Sequence, residues 1–169
     1  LEDTAGFSHH SYPRGMAAAQ RIGAADTASM GDRIVSAVCG FLVNIPLRDL
    51  LGMGRVRVVY TAGDAVAPGL LTFFRALGIN LKQLYGSTEA GCFVAIHRDG
   101  DVKPDTVGRP GEGVELKIAP NGEILVRSPG LFKEYHLDPE ATARARDAEG
   151  WFRTGDAGCL GEDGHLRII

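Results

Sequence analysis

Hydrophobic positions between residues 55 and 85 change period twice along the chain. Valines alternate with arginines and other residues in 55–61, which predicts a β-strand. Residues 68–78 place apolar side chains at the i, i+3, i+4 and i+7 positions expected of one helix face, namely Leu70, Phe73, Phe74 and Leu77. A second short apolar run, 79–85, predicts another strand. Strand, helix and strand with short links predict a βαβ unit whose two strands are parallel.

The pattern after about residue 105 is typical of hairpins. Residues 114–118 alternate apolar with charged side chains, the Pro-Asn-Gly at 120–122 predicts a turn, and 123–127 predicts the returning strand. Asp138-Pro139 is an N-cap and first-turn pair that predicts a helix, and strands are predicted at 151–155 and 165–169.

These elements predict an α/β fold in two parts. Residues 1–104 are interpreted as an α/β subdomain, with helix predicted over 16–43 and a short helical stretch over 46–53. Residues 105–169 are interpreted as a small β-rich, barrel-like subdomain. The joint contains the glycine- and proline-containing segment at 108–113.

Composition narrows the class of protein. The chain has 169 residues, of which 44% are hydrophobic, enough for a core. No apolar run approaches the roughly 18 residues of a membrane span. The net charge of −3 argues against a nucleic-acid partner, whose phosphates a protein must neutralise. Cys39, Cys92 and Cys159 have no metal-ligand spacing and are predicted to be reduced, buried thiols of a cytoplasmic protein.

The segment YGSTEAG at 85–91 concentrates groups suited to a nucleotide at the end of a predicted strand. Tyr85 offers a flat face for a base, and Gly86 allows backbone to approach a ligand closely. The hydroxyls of Ser87 and Thr88 can donate to phosphate oxygens, and Glu89 is an oxygen ligand suited to Mg²⁺. The alternative is a polar loop whose Thr88 and Glu89 cap a following helix, and spacing alone leaves both open.

Three segments in the same order strengthen the nucleotide interpretation. They are YTAGDAVAP, YGSTEA and the long run GEILVRSPGLFKEYHLDPEATARARDAEGWFRTGDAG. Together they resemble the adenylate-forming enzymes, and more narrowly the fatty-acyl-CoA synthetases, also called long-chain-fatty-acid–CoA ligases. The resemblance covers roughly residues 47–169. It implies the α/β fold described above, as part of the large N-terminal domain of such an enzyme.

The resemblance also implies roles for individual residues. In the motif that matches YGSTE, the tyrosine packs on adenine, the threonine contacts phosphate and the glutamate holds Mg²⁺. These roles fall on Tyr85, Thr88 and Glu89, with Gly86 beside the nucleotide. Thr88 and Glu89 are the implied catalytic residues.

Two further segments complete the implied nucleotide site. The upstream glycine-rich loop lines the adenine and corresponds to Gly63, Asp64 and Ala65, although the family more often has a small residue at position 64. The aspartate of the TGD motif binds the ribose hydroxyls and corresponds to Asp156. The alternative for Asp156 is an Asx-turn onto the backbone around Gly158.

The implied reaction joins a fatty acid or related carboxylic acid to coenzyme A. ATP and Mg²⁺ first give an acyl-adenylate and pyrophosphate, and the thiol of coenzyme A then displaces AMP. The matching chain lacks the family's phosphate loop and its C-terminal lid domain with the adenylation lysine. We therefore expect a middle fragment that makes no adenylate alone. A cytoplasmic location is expected, with peripheral contact to the inner face of the membrane and a homodimer left open.

Other functions remain alternatives at this stage. A carrier-protein-charging adenylation domain and a luciferase-like enzyme share the adenylation step, and a non-catalytic nucleotide-binding or scaffolding protein would share only the fold. The remaining conspicuous side chains are interpreted as structural or surface residues: His97, His136, His165, Trp151, Phe152, Arg109, Glu123 and Tyr135. Arg109 is expected to be a turn residue that pairs with a nearby carboxylate, and no catalysis is assigned to Glu123 or Tyr135.

Overall fold

The computed structural model describes residue 41, residues 44–64 and residues 66–169. Three helices and eight strands lie in these residues. In chain order they are α1 (Ile45–Leu50), β1 (Val59–Thr61), α2 (Pro68–Ala76), β2 (Leu81–Tyr85), β3 (Ala95–Ile96), β4 (Arg109–Pro110), β5 (Glu115–Ile118), β6 (Glu123–Arg127), α3 (Pro139–Arg144), β7 (Phe152–Leu160) and β8 (Leu166–Ile168). The helix predicted over 16–43 lies outside the described residues, apart from Phe41.

The strands form two four-stranded sheets, in the orders β1-β2-β3-β4 and β5-β6-β7-β8. One compact unit takes the described residues up to Val59 together with Pro68–Leu81, and the other takes Tyr60–Ala67 together with Lys82–Ile169. This arrangement confirms the α/β class with a β-rich second part. The division between residues 104 and 105 and the parallel orientation of β1 and β2 stay predictions.

Strand β1 is shorter than the apolar alternation predicts. Only Val59–Thr61 of the predicted strand 55–61 is extended and paired. Val56 and Val58 are both exposed, and Val56 instead donates its amide to the Met53 carbonyl oxygen at 3.3 Å, in a turn. Alternation stabilises a strand only where one face is buried, so the first part of the prediction is wrong.

Helix α2 begins at Pro68, as predicted, and the chain reverses at Gly78, whose φ of +78° is readily adopted by glycine. The predicted face is buried at Leu77 and partly buried at Phe73 and Phe74. In the first turn Leu71 is buried, whereas Leu70 is half exposed. The prediction is therefore wrong only at Leu70.

The second unit contains the predicted hairpin. Strands β5 and β6 are antiparallel, with Leu116 opposite Val126, and Gly122 takes the φ of +85° that the turn requires. The predicted N-cap of α3 is also confirmed, because Asp138 Oδ1 accepts a hydrogen bond of 2.8 Å from the Ala141 amide.

The core of the second unit is formed by residues of both sheets and of the loops that join their strands. Its buried members are Ala90, Val94, Ala95, Val107, Ile124, Val126, Phe152 and Leu166. Trp151 is also buried, with Lys117 Nζ 4.3 Å and the Arg127 guanidinium 4.6 Å from its ring centroid. The prediction that Trp151 and Phe152 are core residues is therefore confirmed.

A chain of buried hydrogen bonds crosses the same unit. The Gln83 backbone amide donates to His97 Nδ1 at 3.0 Å, and His97 Nε2 lies 3.1 Å from Thr106 Oγ1. Thr106 Oγ1 lies 2.9 Å from His165 Nδ1, and His165 Nε2 lies 3.0 Å from Asp101 Oδ1. Both buried histidines are structural, as predicted.

Three further predictions have clear outcomes. His136 is exposed, in agreement with a surface role. Arg109 Nε pairs with Asp101 Oδ2 at 2.8 Å, which confirms a carboxylate partner, although Arg109 lies in β4. Cys92 is exposed rather than buried, because it lies on a surface turn, and Cys159 is partly buried. Cys39 lies outside the described residues.

Membrane-spanning length is not reached by any described helix. The three helices contain six, nine and six residues, and none of the described helices could cross a bilayer.

Candidate active site

The YGSTE segment folds into a tight turn between β2 and β3. The Cys92 amide donates to the Ser87 carbonyl oxygen at 3.0 Å, and the Val94 amide donates to the Tyr85 carbonyl oxygen at 2.9 Å. A Cβ on Gly86 would lie 2.0 Å from the Cys92 carbonyl oxygen, so this glycine is required by the turn itself. No helix follows between residues 86 and 109, all of which are described. The helix-capping alternative for Thr88 and Glu89 is therefore wrong.

Tyr85 ends β2 and contacts the TGD motif. Its hydroxyl donates to Asp156 Oδ2 at 2.6 Å, across a separation of 71 residues. The pKa of the Tyr85 hydroxyl is raised, first by burial and then by this hydrogen bond to a carboxylate, so the hydroxyl remains a donor. The predicted adenine and ribose residues are thus in direct contact.

Asp156 lies on an exposed bend inside the long strand β7. Gly155 has a φ of +77°, and the Asp156 amide donates to Thr154 Oγ1 at 3.1 Å. Thr154 in turn donates to the Ile124 carbonyl oxygen at 2.8 Å, which ties the bend to β6. The Gly158 amide donates to the Gly122 carbonyl oxygen at 3.0 Å, so it is engaged elsewhere and the Asx-turn alternative at Gly158 is wrong.

Glu89 is partly buried and its carboxylate is held by several donors. The pKa of the Glu89 carboxyl is lowered, first by a hydrogen bond from its own backbone amide and then by one from the Tyr135 hydroxyl. Burial opposes these two effects, and the Ser87 hydroxyl adds the smallest lowering effect. The Tyr135 hydroxyl lies 2.9 Å from Glu89 Oε1. The side chain therefore presents ionised carboxylate oxygens, one residue after the exposed Thr88 hydroxyl.

The upstream loop is described only in part. Gly63 has a φ of +96°, and the Asp64 carbonyl oxygen accepts a bond of 3.5 Å from Gln83 Nε2 on β2. This bond brings the loop beside the strand that ends in Tyr85. Ala65, the third residue predicted here, lies outside the described residues. The nucleotide roles of all these residues stay predictions.

The donor set suits an Mg²⁺ ion whose remaining ligands come from a bound substrate and water. Among the residues that the structure describes, no group of three or more histidine, cysteine or acidic side chains could hold a metal ion by itself. Mg²⁺ is commonly held by one or two carboxylates with phosphate oxygens and water. A single ionised Glu89 beside the Thr88 hydroxyl fits that arrangement. It does not fit a site in which protein side chains supply all the ligands.

The sequence pattern missed two residues of this site. The sequence pattern assigns no catalysis to Tyr135, yet its hydroxyl bonds to Glu89, 46 residues away, and no local spacing indicates that contact. Thr154 supports the bend that carries Asp156, because its Oγ1 accepts from the Asp156 amide and donates to the Ile124 carbonyl oxygen, 30 residues away. The Thr-Gly-Asp run is a local signal for the first of these two contacts of Thr154.

Comparison with known proteins identifies the family. The family model described as "AMP-binding enzyme" matches residues 10–136. The chain belongs to the AMP-binding enzymes. Long-chain-fatty-acid–CoA ligase FadD15 of Mycobacterium bovis is 40% identical over 136 residues, covering 80% of this chain and 22% of that protein.

Solved structures agree on the fold of this AMP-binding enzyme. A malonyl-CoA ligase ternary product complex with methylmalonyl-CoA and AMP bound matches with a TM-score of 0.60 and 36% identity, over 67% of this chain and 26% of that one. The amide bond synthetase McbA from Marinactinospora thermotolerans matches with a TM-score of 0.62 and 34% identity, over 69% and 26%. The chain spans about a quarter of the length of the curated relatives it matches.

Proposed function

We propose that this chain is part of a longer ATP-dependent fatty-acyl-CoA synthetase and carries its nucleotide-binding residues. The contact between Tyr85 and Asp156 is the observation that carries the proposal, because it joins the two motifs that the resemblance assigns to adenine and ribose. Sequence similarity to a long-chain-fatty-acid–CoA ligase supports the choice of acid and of coenzyme A as acceptor. The similarity to an amide bond synthetase is compatible with a shared adenylation step and another acceptor.

In this proposal each residue acts on ATP in a way its surroundings allow. The Tyr85 ring lies under adenine, and Asp156, exposed on its bend, accepts hydrogen bonds from the ribose hydroxyls. The Thr88 hydroxyl donates to a phosphate oxygen, and Glu89 binds Mg²⁺ in its ionised form. Mg²⁺, when bound, offsets negative charge on the phosphates as the carboxylic acid attacks. The isolated chain is still expected to make no adenylate.

The ribose assignment is tested by removing each partner in turn. Asp156→Ala in the full-length enzyme should weaken the affinity for ATP by about 10-fold or more, since a bond to a charged acceptor contributes roughly 1.5–3 kcal/mol. The same variant should lose almost nothing further when ATP is replaced by 2′,3′-dideoxy-ATP.

The measurement is calorimetric titration of wild type and variant with both nucleotides. Glu123→Gln is the matched control, because Glu123 Oε1 accepts from the neighbouring Gly155 amide at 3.2 Å without any predicted contact to ribose. Equal loss on removing the hydroxyls in wild type and in Asp156→Ala would contradict the ribose role and the proposal that depends on it.

A further inference from the structure

Tyr135 and its neighbours hold Glu89 at both ends of the residue. The Tyr135 hydroxyl donates to Glu89 Oε1 at 2.9 Å, while the Phe132 amide donates to the Glu89 backbone carbonyl oxygen at 2.7 Å. Both donors come from one short segment that precedes α3. Glu89 therefore has its main chain and its carboxylate fixed by the same piece of structure.

Tyr135 is itself held in place, so its hydroxyl has a defined position. Its ring packs against Phe132, with centroids 4.7 Å apart, and Phe132 packs edge-on against the buried Phe152 at 5.7 Å. The Tyr135 amide donates to Thr142 Oγ1 on α3 at 2.9 Å. The hydroxyl is thus anchored to the core through two rings and to a helix through one backbone bond.

The geometry leaves acceptor capacity on the carboxylate. An ionised carboxylate has about four lone-pair sites on two oxygens. The Tyr135 hydroxyl uses one of them on Oε1, and the Glu89 amide and the Ser87 hydroxyl also bond to the group, which leaves about one site open to a cation. The hydrogen bond from Tyr135 restrains rotation of the whole group. Outer partners of this kind orient metal ligands in many proteins.

We propose that Tyr135 is a positioning residue that orients the Glu89 carboxylate for the divalent cation of the bound nucleotide. The inference rests on the proposed function, in which Glu89 binds Mg²⁺. A purely structural Tyr135 would tie two loops together and would affect nucleotide binding equally with and without metal. A positioning Tyr135 affects only the part of binding that depends on metal.

The experiment measures that part directly in the full-length enzyme. α,β-Methylene ATP is titrated by calorimetry, once with Mg²⁺ and once with EDTA, and the ratio of the two dissociation constants gives the tightening due to metal. Tyr135→Phe keeps the ring and removes the hydroxyl, and Glu89→Gln removes the charge. Tyr60→Phe is the matched control, because Tyr60 lies in β1 with Lys82 over its ring at 5.7 Å. Circular dichroism melting checks that each variant is folded.

The expected result is a metal-dependent tightening about 10-fold smaller in Tyr135→Phe, the lower end of the effect of losing an outer partner. Affinity in EDTA should be unchanged, Tyr60→Phe should match wild type, and Tyr135→Phe should add nothing in the Glu89→Gln background. If Tyr135→Phe keeps the metal-dependent tightening of the wild type while Glu89→Gln loses it, the inference about Tyr135 is overturned and the proposed function is not. Wild-type tightening in Glu89→Gln overturns the proposed metal role and the inference with it. Equal loss with and without metal in Tyr135→Phe leaves only the structural role.

Discussion

Replacing Tyr85 by phenylalanine removes one hydroxyl and keeps the ring that is proposed to lie under adenine. The lost bond to Asp156 Oδ2 is 2.6 Å long, within the range of strong bonds to a charged acceptor. Such bonds contribute roughly 1.5–3 kcal/mol when shielded from water. Asp156 is exposed, however, and exposed charged pairs contribute about 0–1 kcal/mol. We therefore expect a coupling of about 1 kcal/mol between the two side chains, roughly 5-fold in nucleotide affinity.

A double-mutant cycle measures this coupling without assigning energies to single contacts. ATP affinity is determined by calorimetry for the full-length enzyme, Tyr85→Phe, Asp156→Ala and the double variant. The expected outcome is that Tyr85→Phe weakens binding only while Asp156 is present. A parallel cycle with Tyr60→Phe, which alters a tyrosine of β1, should be additive. Additivity within about 0.3 kcal/mol for Tyr85 and Asp156 would refute the argument that the hydroxyl prepares the ribose acceptor.

Two other predictions concern stability. Gly86→Ala should lower the free energy of unfolding by at least about 2 kcal/mol in urea titrations, because its Cβ would lie 2.0 Å from a backbone carbonyl oxygen. Gly69→Ala is the control and should be neutral or stabilising, because its Cβ meets nothing within 4 Å. Equal effects of the two substitutions would contradict the steric explanation. The pKa of Asp163 is lowered to about 2, chiefly by its hydrogen bond from Lys103, so the bridge stabilises the fold above the usual pKa near 4 and this contribution is lost as the pH falls to about 2. Asp163→Asn should flatten the dependence of the urea midpoint on pH between about 4 and 2, while the neighbouring exposed Glu162→Gln should leave it unchanged; a curve for Asp163→Asn identical to wild type would rule the bridge out.

Local chemistry predicted those elements whose cause is also local. The hairpin follows from alternation on both sides of a turn with glycine at its third position, and α3 follows from Asp138 as N-cap and Pro139 in the first turn. The errors occur where the deciding contact is distant. Residues 55–58 alternate like a strand, but Val56 and Val58 on the apolar face are exposed. In α2 the spacing predicts Phe73, Phe74 and Leu77 correctly, but it cannot tell that Leu70 in the first turn stays half exposed.

The same distinction explains why the motifs of the site were visible and its support was not. The residues proposed to act on the nucleotide, Tyr85, Thr88 and Glu89, lie on one short segment, so they stand close together in sequence. The residues that hold this loop need only reach it in space, and the fold brings them from elsewhere. Tyr135 lies 46 residues beyond Glu89 and Asp156 lies 71 residues beyond Tyr85. Because the supporting bonds end on the motif's own polar atoms, those atoms are already restrained in the described structure. A ligand that binds there meets ordered groups, so less free energy goes into ordering side chains on binding.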